Sequence, residues 1–432
     1  MLRHSLTLSL KILGRRPFFT FVSLFGISLT LAVLMLVAAL LDQAFGGQPP
    51  EVHSDRTLGV FQVRLTKGNN VYRGQGGFRL FDQALRDMPG VEALSIASTP
   101  RAALSFVDGQ RVSLKAVRVD PDYFRIMVYD FIEGGPIDAQ DALDAAPVAV
   151  ISRQSRQRLF AGQPAVGRSF HLEGRRYEVR GVVENVPAFR ALSSADVWLS
   201  LAAEPSASYR LGYEGDFRAF ALAAPESDLE SLRGEIQNRL ESVDVASHSA
   251  YENLEVLPLT PVELTAQRWL RILTFVIDSE GLQALVEDVD SLQRSPVDLL
   301  RLMLALAALL FMILPSLNLI NLNISRILER AAEIGVRKSF GASSRALIGQ
   351  FLIENVVLTL IGGVIGFLLA TVALQLISGT ALVSYAEIGG LNLRLFGSAL
   401  LLTLFFGVLS GVYPAWRMSR LHPQQVLRET AS

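Results

Sequence analysis

The 432-residue sequence predicts an α-helical membrane protein with four transmembrane helices and a large α/β extracytoplasmic domain inserted between the first and second. Three observations lead there. Half of the residues are hydrophobic and only 19% are charged, with a mean hydropathy of +0.35, more apolar than an ordinary soluble globule. The apolar residues gather into runs at 17–41, 299–322, 351–376 and 393–415. Each reaches or approaches the roughly 20 residues that cross a bilayer at about 1.5 Å per residue. The middle, 46–296, has the composition of a soluble domain.

Charge sets the orientation, because short basic flanks stay in the cytoplasm. Arg3, Lys11, Arg15 and Arg16 precede the first run. Arg326, Arg330, Arg337, Lys338 and Arg345 separate the second from the third, and Arg417, Arg420 and Arg428 follow the fourth. The short connection 377–392 has neither Lys nor Arg but carries Glu387. Four spans therefore place both termini in the cytoplasm and the middle domain outside the cytoplasmic membrane. The first run exceeds the core of a secretory signal, about 7–15 residues, so it is expected to remain as an anchor.

Several function classes are excluded early. The net charge of -1 gives no basic field for nucleic acid. Cysteine is absent, which removes disulfides, thiol catalysis and thiolate metal sites, and the five histidines lack ligand spacing. No G-x-x-x-x-G-K-(S/T) phosphate loop occurs, so the chain is not expected to be an enzyme or to bind ATP itself. The acidic stretch 130–144 has no regular ligand spacing, so no metal is expected.

The expected elements follow in order. Residues 2–14 carry Leu2, Leu6, Leu10 and Leu13 on one side of an interfacial helix, and Pro17 opens the first span. Gln48-Pro49-Pro50 ends it. In the outer domain, strands are expected at 58–65, 111–119, 148–151, 169–172, 176–183, 217–222 and 252–257. Helices are expected at 78–87, 121–127, 152–160 (exposing Arg153, Arg156 and Arg158) and 229–240. Glu173-Gly174 suits a hairpin turn. About 250 residues are enough for two cores, with a division within 130–146 or 201–215. Residues 261–298 read as helix, and Pro296 marks a kink before the second span. The domain limits expected are 1–45, 46–298 and 299–432, with a cytoplasmic helix at 325–341.

Polar and small residues inside the spans are the first candidate sites. Asn318 and Asn321 lie in the second run with Pro315, where amides ordinarily join helices and less often line a path. Gly362 and Gly366 in the third run, and Gly407 and Gly411 in the fourth, have the GxxxG spacing that lets backbones approach. Glu354 near the head of the third run needs a partner; Arg337 or Arg345 could reach it.

The segment 323–350, rich in Arg and Glu between two apolar runs, is the second candidate. Glu333 and Arg337 are i,i+4 on a helix and support it by a few tenths of a kcal/mol. Gly341 is suited to ending that helix and Ser343 to capping the next. A positive-inside loop with local ion pairs would account for this much.

The stretch Glu329-Arg330-Ala331-Ala332-Glu333-Ile334-Gly335-Val336-Arg337-Lys338-Ser339-Phe340-Gly341-Ala342 resembles the ER-x-x-EIG-x-RK-x-x-GA signature of ABC-transporter permeases of the MacB/FtsX/lipoprotein-release type. The end of the chain, from Ser410-Gly411-Val412-Tyr413-Pro414-Ala415 to Val426-Leu427-Arg428, is similar to that family's terminal SG-x-YPA pattern. In the middle, Asp120-Pro121-Asp122-Tyr123-Phe124 resembles its P-x-YF segment; 148–167 and 177–184 resemble two further family stretches. The likeness covers nearly the whole chain.

The resemblance implies one protomer with a porter-like outer core plus a smaller subdomain, in a bacterial inner membrane. It implies a cytoplasmic ABC ATPase dimer that holds ATP and Mg2+, and a second permease protomer, identical or homologous. A periplasmic adaptor is left open. Carried over as ATPase-coupling positions are Glu329, Glu333, Gly335, Arg337, Lys338 and Gly341. The expected function is conformational work on a peptide, antibiotic or lipid-linked substrate outside the membrane. A scaffold or sensor relaying ATPase state to a periplasmic hydrolase or histidine kinase is the alternative. The family often has a fused ATPase, absent from this sequence, and Pro315 with the Asn series replaces the Gly-rich apolar span of the familiar pump. Both departures weaken any inference of a macrolide substrate.

Overall fold

The computed structural model describes residues 17–107, 109–188, 190–277, 280–281, 296–329 and 343–378, and a few positions between 396 and 408. Among the described residues two compact units emerge: a helical one that includes 17–43, 301–329 and 343–378, and an α/β one that includes 44–277.

The helical unit contains α1 (Pro17–Phe45) and most of a long helix that begins at Pro296. Within α1, Thr20–Ala39 is apolar enough to cross a membrane over 20 residues. Its two faces are both apolar. Ile27, Leu31 and Met35, four residues apart, are buried, and Phe21, Phe25 and Leu29 on the other side are exposed. A water-facing helix would carry charge on that outer stripe, so its solvent is hydrocarbon.

The α/β unit begins after α1 and folds around two seven-stranded sheets. In chain order its elements are β1 (Thr57–Val60), β2 (Val63–Lys67), β3 (Asn70–Gly76), α2 (Phe78–Leu85), β4 (Val91–Ser98), β5 (Arg101–Val107), β6 (Gln110–Val119), α3 (Tyr123–Ile126), β7 (Phe131–Gly134) and α4 (Ala139–Leu143). They continue with β8 (Val148–Ser152), α5 (Arg153–Phe160), β9 (Ser169–Leu172), β10 (Arg175–Val183), β11 (Val197–Ser200), β12 (Glu214–Gly215), β13 (Phe217–Ala223), α6 (Leu229–Glu241), β14 (Asn253–Val256) and α7 (Pro261–Ile277). Beyond it come α8 (Pro296–Glu329) and α9 (Ser344–Ser378). In α9 the apolar stretch Leu352–Leu376 again meets the length and composition of a span. The 34-residue α8 contains the second apolar run. The fourth run falls largely outside the described residues, as do residues 2–14 and the 325–341 segment beyond Glu329.

The first sheet runs β1-β13-β3-β2-β14, with β4 on β13 and β12 on β3. Strand β13 shows the period-2 logic of a strand buried on both faces. Phe217, Ala219, Ala221 and Ala223 join the core under α2 and α6, while Phe220 and Leu222 point to the other side. The second sheet runs β7-β10-β8-β11-β6-β5-β9, and β9 also pairs with β10. Six strands therefore close into a small barrel, with β7 appended to β10. Closure leaves an interior wide enough only for side chains: Leu114, Ile151, Leu172, Tyr177, Val179 and Leu199 fill it. A third cluster, with Tyr123, Tyr129, Trp198 and Phe220, lies between the sheets.

Several expected elements need correction. The strand at 58–65 is two strands, because Phe61-Gln62 breaks the ladder: β1 pairs with β13, and β2 pairs with β3 and β14. Arg156 is half-buried and bonded to Glu133, not exposed. The stretch 130–146 lies within the second sheet, between β7 and β8. The chain leaves the first sheet at Thr99–Pro100 and returns through 201–213. Glu173 and Gly174 both have positive φ, 51° and 78°, as the two central residues of a type I′ hairpin turn require.

Candidate functional site

The third-run glycines form a contact surface. On α9, Asn355, Thr359, Gly362 and Gly366 recur every three or four residues and share a face. That face meets α1. A methyl group on Gly362 would lie 2.6 Å from Cγ2 of Ile27; one on Gly366 would lie 2.8 Å from the Ser28 carbonyl oxygen and 2.9 Å from Cβ of Leu31. The two backbones are thus as close as glycine permits. Leu31, Met35, Leu358, Ala370 and Leu374 complete the seam, while Leu360, Val364, Leu368, Val372 and Leu376 form an exposed apolar stripe on α9. Thr30 and Thr359 turn their hydroxyls onto Gly26 and Asn355 carbonyls, 2.8 and 2.9 Å away, so neither leaves a polar atom unmet in the seam.

Glu354 and Asn355 are buried beside this seam. Asn318 and Asn321 belong to α8, and Glu329 is its last residue. Glu333, Gly335, Arg337, Lys338, Gly341, Gly407 and Gly411 lie outside the described residues, as does the expected pairing of Glu354 with Arg337 or Arg345. The described part therefore unites Gly362 and Gly366 with the first span, a contact the spacing alone had left unassigned.

Where α1 enters the α/β unit, one arginine holds the chain. Arg190 is 3% exposed. Its guanidinium donates to the Gln48 carbonyl (2.7 Å), the Pro49 carbonyl (3.3 Å) and the Gly46 carbonyl (3.2 Å). Five donors in a planar fork suit such a set of converging carbonyls. Next to it, Ser193 donates to the Glu51 carboxylate at 2.6 Å. Burial pushes the Glu51 carboxyl above its usual range, and the Ser193 hydroxyl and Arg190 charge work the other way. Tyr129 donates to the Ser193 carbonyl (2.6 Å) and Tyr123 to the Leu192 carbonyl (3.2 Å). Tyr123 of α3 and Tyr129 just beyond it thus anchor the loop that grips the exit of α1. Asp120, just before it, accepts from the amides of Ile96 (2.9 Å) and Tyr123 (3.0 Å). Burial raises its carboxyl to about 6 against those bonds.

Sequence reasoning missed Arg190, Glu51 and Ser193. The available signal was Pro187-Ala188-Phe189-Arg190, a lone basic residue in an otherwise uncharged stretch, which by itself reads as surface.

The family model described as MacB-like periplasmic core domain matches residues 20–239, just over half of the chain. The FtsX-like permease C-terminal model matches 305–423. The uncharacterized ABC transporter permease YknZ of Bacillus subtilis is 22% identical over 351 residues, covering 80% of this chain and 78% of that one. The macrolide export ATP-binding/permease protein MacB of Syntrophobacter fumaroxidans is 22% identical over 439 residues, covering 92% of this chain; the chain spans 61% of its length. Among solved structures, the periplasmic region of MacB from Actinobacillus actinomycetemcomitans covers 47% of this chain and 89% of that chain, at 13% identity and a TM-score of 0.38.

Proposed function

The chain belongs to the family of ABC permeases built from a MacB-like periplasmic core domain followed by an FtsX-like C-terminal region, and from that premise we propose that it is the membrane subunit of a complex driven by a separate cytoplasmic ATPase dimer. The observation that carries the reading is the tandem order of the two family matches, periplasmic core first and permease region second, within one chain. In this reading both termini are cytoplasmic and a second permease protomer completes the membrane unit. ATP and Mg2+ are held by the ATPase, and Glu329, Glu333, Gly335, Arg337, Lys338 and Gly341 form the handle it moves. Movement of the spans reaches the α/β unit through the α1 exit gripped by Arg190, and through α7. The work done there repositions or expels a substrate such as a peptide, an antibiotic or a lipid-linked molecule.

The test is co-purification of the full chain with its ATPase in detergent and measurement of ATPase stimulation. Reversing both charges, Glu333→Lys with Arg337→Glu, is expected to lower stimulation at least tenfold while leaving the permease folded. Unchanged binding and stimulation in that variant would refute the coupling role.

A further inference from the structure

Between the two sheets of the α/β unit and against α7 lies a cavity of about 330 Å3, lined by Gln75, Lys115, Arg218, Leu264, Arg268 and Arg271 among others. That volume is in the range of small-ligand sites. Its cations come from three elements distant in sequence. Arg218 is carried by β13, Lys115 by β6, and Arg268 and Arg271 by α7, three residues apart and so on one helical face. Among the described residues that line it, none is a carboxylate.

Arg218 makes the floor and is 4% exposed. One Nη donates to the Ser98 carbonyl at 3.3 Å, and the guanidinium carbon stands 5.7 Å from the Phe220 ring centre. Its Nε is buried with no hydrogen-bond partner. A buried guanidinium with an unmet donor and no paired acid is costly. Glu51 acts on Arg268, and Asp196 acts on Lys115. Each is already engaged, Glu51 by the Ser193 hydroxyl and Asp196 by the Lys115 backbone amide at 2.8 Å. Burial works against the charge on Arg218, Lys115 and Arg268 alike. Lys115 is half-buried, and Arg268 and Arg271 stand at the solvent-reached rim, so an entering ligand meets them first.

We propose that this cavity binds an anion of phosphate chemistry, a soluble phosphate ester or the phosphate of a lipid headgroup, with Arg218 at the floor and Lys115 and Arg268 closing over it. A carboxylate would occupy one guanidinium fork; a phosphate presents more oxygens and up to two charges, enough for several forks at once. Leu264 and Phe61 on the wall leave apolar space for the remainder of an ester. The proposal stands apart from ATPase coupling, since binding is read without nucleotide or partner.

The experiment uses the full chain. In delipidated detergent solution it is titrated with glycerol 3-phosphate by calorimetry. In phosphatidylcholine nanodiscs, with and without phosphatidylglycerol, retained phosphatidylglycerol is counted by mass spectrometry. Saturable glycerol 3-phosphate binding, weakened on the order of tenfold or more by Lys115→Gln and by Arg268→Gln, supports a soluble ester. Selective phosphatidylglycerol retention lost in the same variants supports a headgroup. Arg158→Gln, on the exposed side of α5, is the control for general charge. Arg218→Met adds a readout that a merely structural arginine would not give: it raises the melting temperature of the ligand-free chain and removes the further rise on adding glycerol 3-phosphate. The proposal is overturned if neither probe binds, if Arg158→Gln weakens binding as much as the cavity variants, or if Lys115→Gln and Arg268→Gln leave binding unchanged.

Discussion

Alanine at Gly366 tests the α1–α9 seam. Its methyl group would stand 2.8 Å from the Ser28 carbonyl oxygen and 3.4 Å from the Ala32 nitrogen, both backbone atoms. Backbone cannot rotate away as a side chain can. Bringing the shorter distance to an ordinary 3.4 Å contact requires α1 to retreat by about 0.6 Å. A gap of that size forfeits roughly a quarter to a half of each affected dispersion contact, and overpacked positions typically lose about 1–3 kcal/mol. Against this stands the helix preference of alanine over glycine, about 1 kcal/mol. Gly349→Ala isolates that gain, because Gly349 lies on the same helix with nothing within 4 Å of its added methyl. The two variants should therefore differ by about 1–3 kcal/mol, Gly366→Ala being the less stable. The assay is SDS-induced unfolding in mixed micelles, with both variants measured side by side. Equal stability of the two would refute a glycine-dependent contact with α1.

Two further perturbations address the α/β unit. Arg190→Met removes three guanidinium bonds to the 46–49 segment and is expected to cost about 2–3 kcal/mol, read by tryptophan fluorescence during urea unfolding. Arg190→Lys should recover only part, because one ammonium cannot span the three carbonyls, and a loss below about 0.5 kcal/mol in Arg190→Met would count against the grip. For Asp120 the folded carboxyl titrates near 6 against an ordinary 3.8. The native state therefore keeps a proton that the unfolded chain has already released between those values. This contribution is full below pH 3.8, falls as pH rises through about 6, and amounts to about 3 kcal/mol. Asp120→Asn should flatten that part of the stability–pH curve; parallel curves for the two proteins would show that Asp120 does not titrate in this way.

What could be read in advance was what depends on near neighbours. The hairpin at Glu173-Gly174 and strand β9 were legible because two turn residues and a short alternation fix them locally. Helix α6 was legible from its apolar spacing, and α1 and α9 from sheer apolar length. Strand β3, Asn-Val-Tyr-Arg-Gly-Gln-Gly, was not: it is polar, half-exposed, and held by β2 across a hairpin and by β12 from some 140 residues away. The break at Phe61-Gln62 was equally hidden, since Phe61 is apolar and continues the pattern while its ring leaves β2's core for the layer shared with Phe220. The cavity escaped for a related reason. Arg218 sits alone in the apolar strand Phe-Arg-Ala-Phe-Ala-Leu-Ala, a visible oddity, but its companions come from β6 and α7, and no local pattern joins them. On α9, Gly362 and Gly366 face α1, a mate that the GxxxG spacing does not name.

The closed ring of the second sheet limits how this protein can meet a neighbour. Closing a barrel removes most of the open strand edge, and here the ring closes where β5 meets β9 at Ser105 and Leu172. In the first sheet the outer side of β1 is taken by a bridge from Gly59 to Leu259, and an amide of β4 by Asp120. Among the described strands, β7 and β14 stand at the ends of the two strand orders, four residues each, and β14 is flanked by the Arg64–Glu255 and Lys67–Glu252 pairs. At those two ends, strand donation by a partner has only four residues to template on. Contacts made at those ends are therefore written mainly in side chains, where sequence can drift and specificity can be retuned without disturbing the ladder underneath.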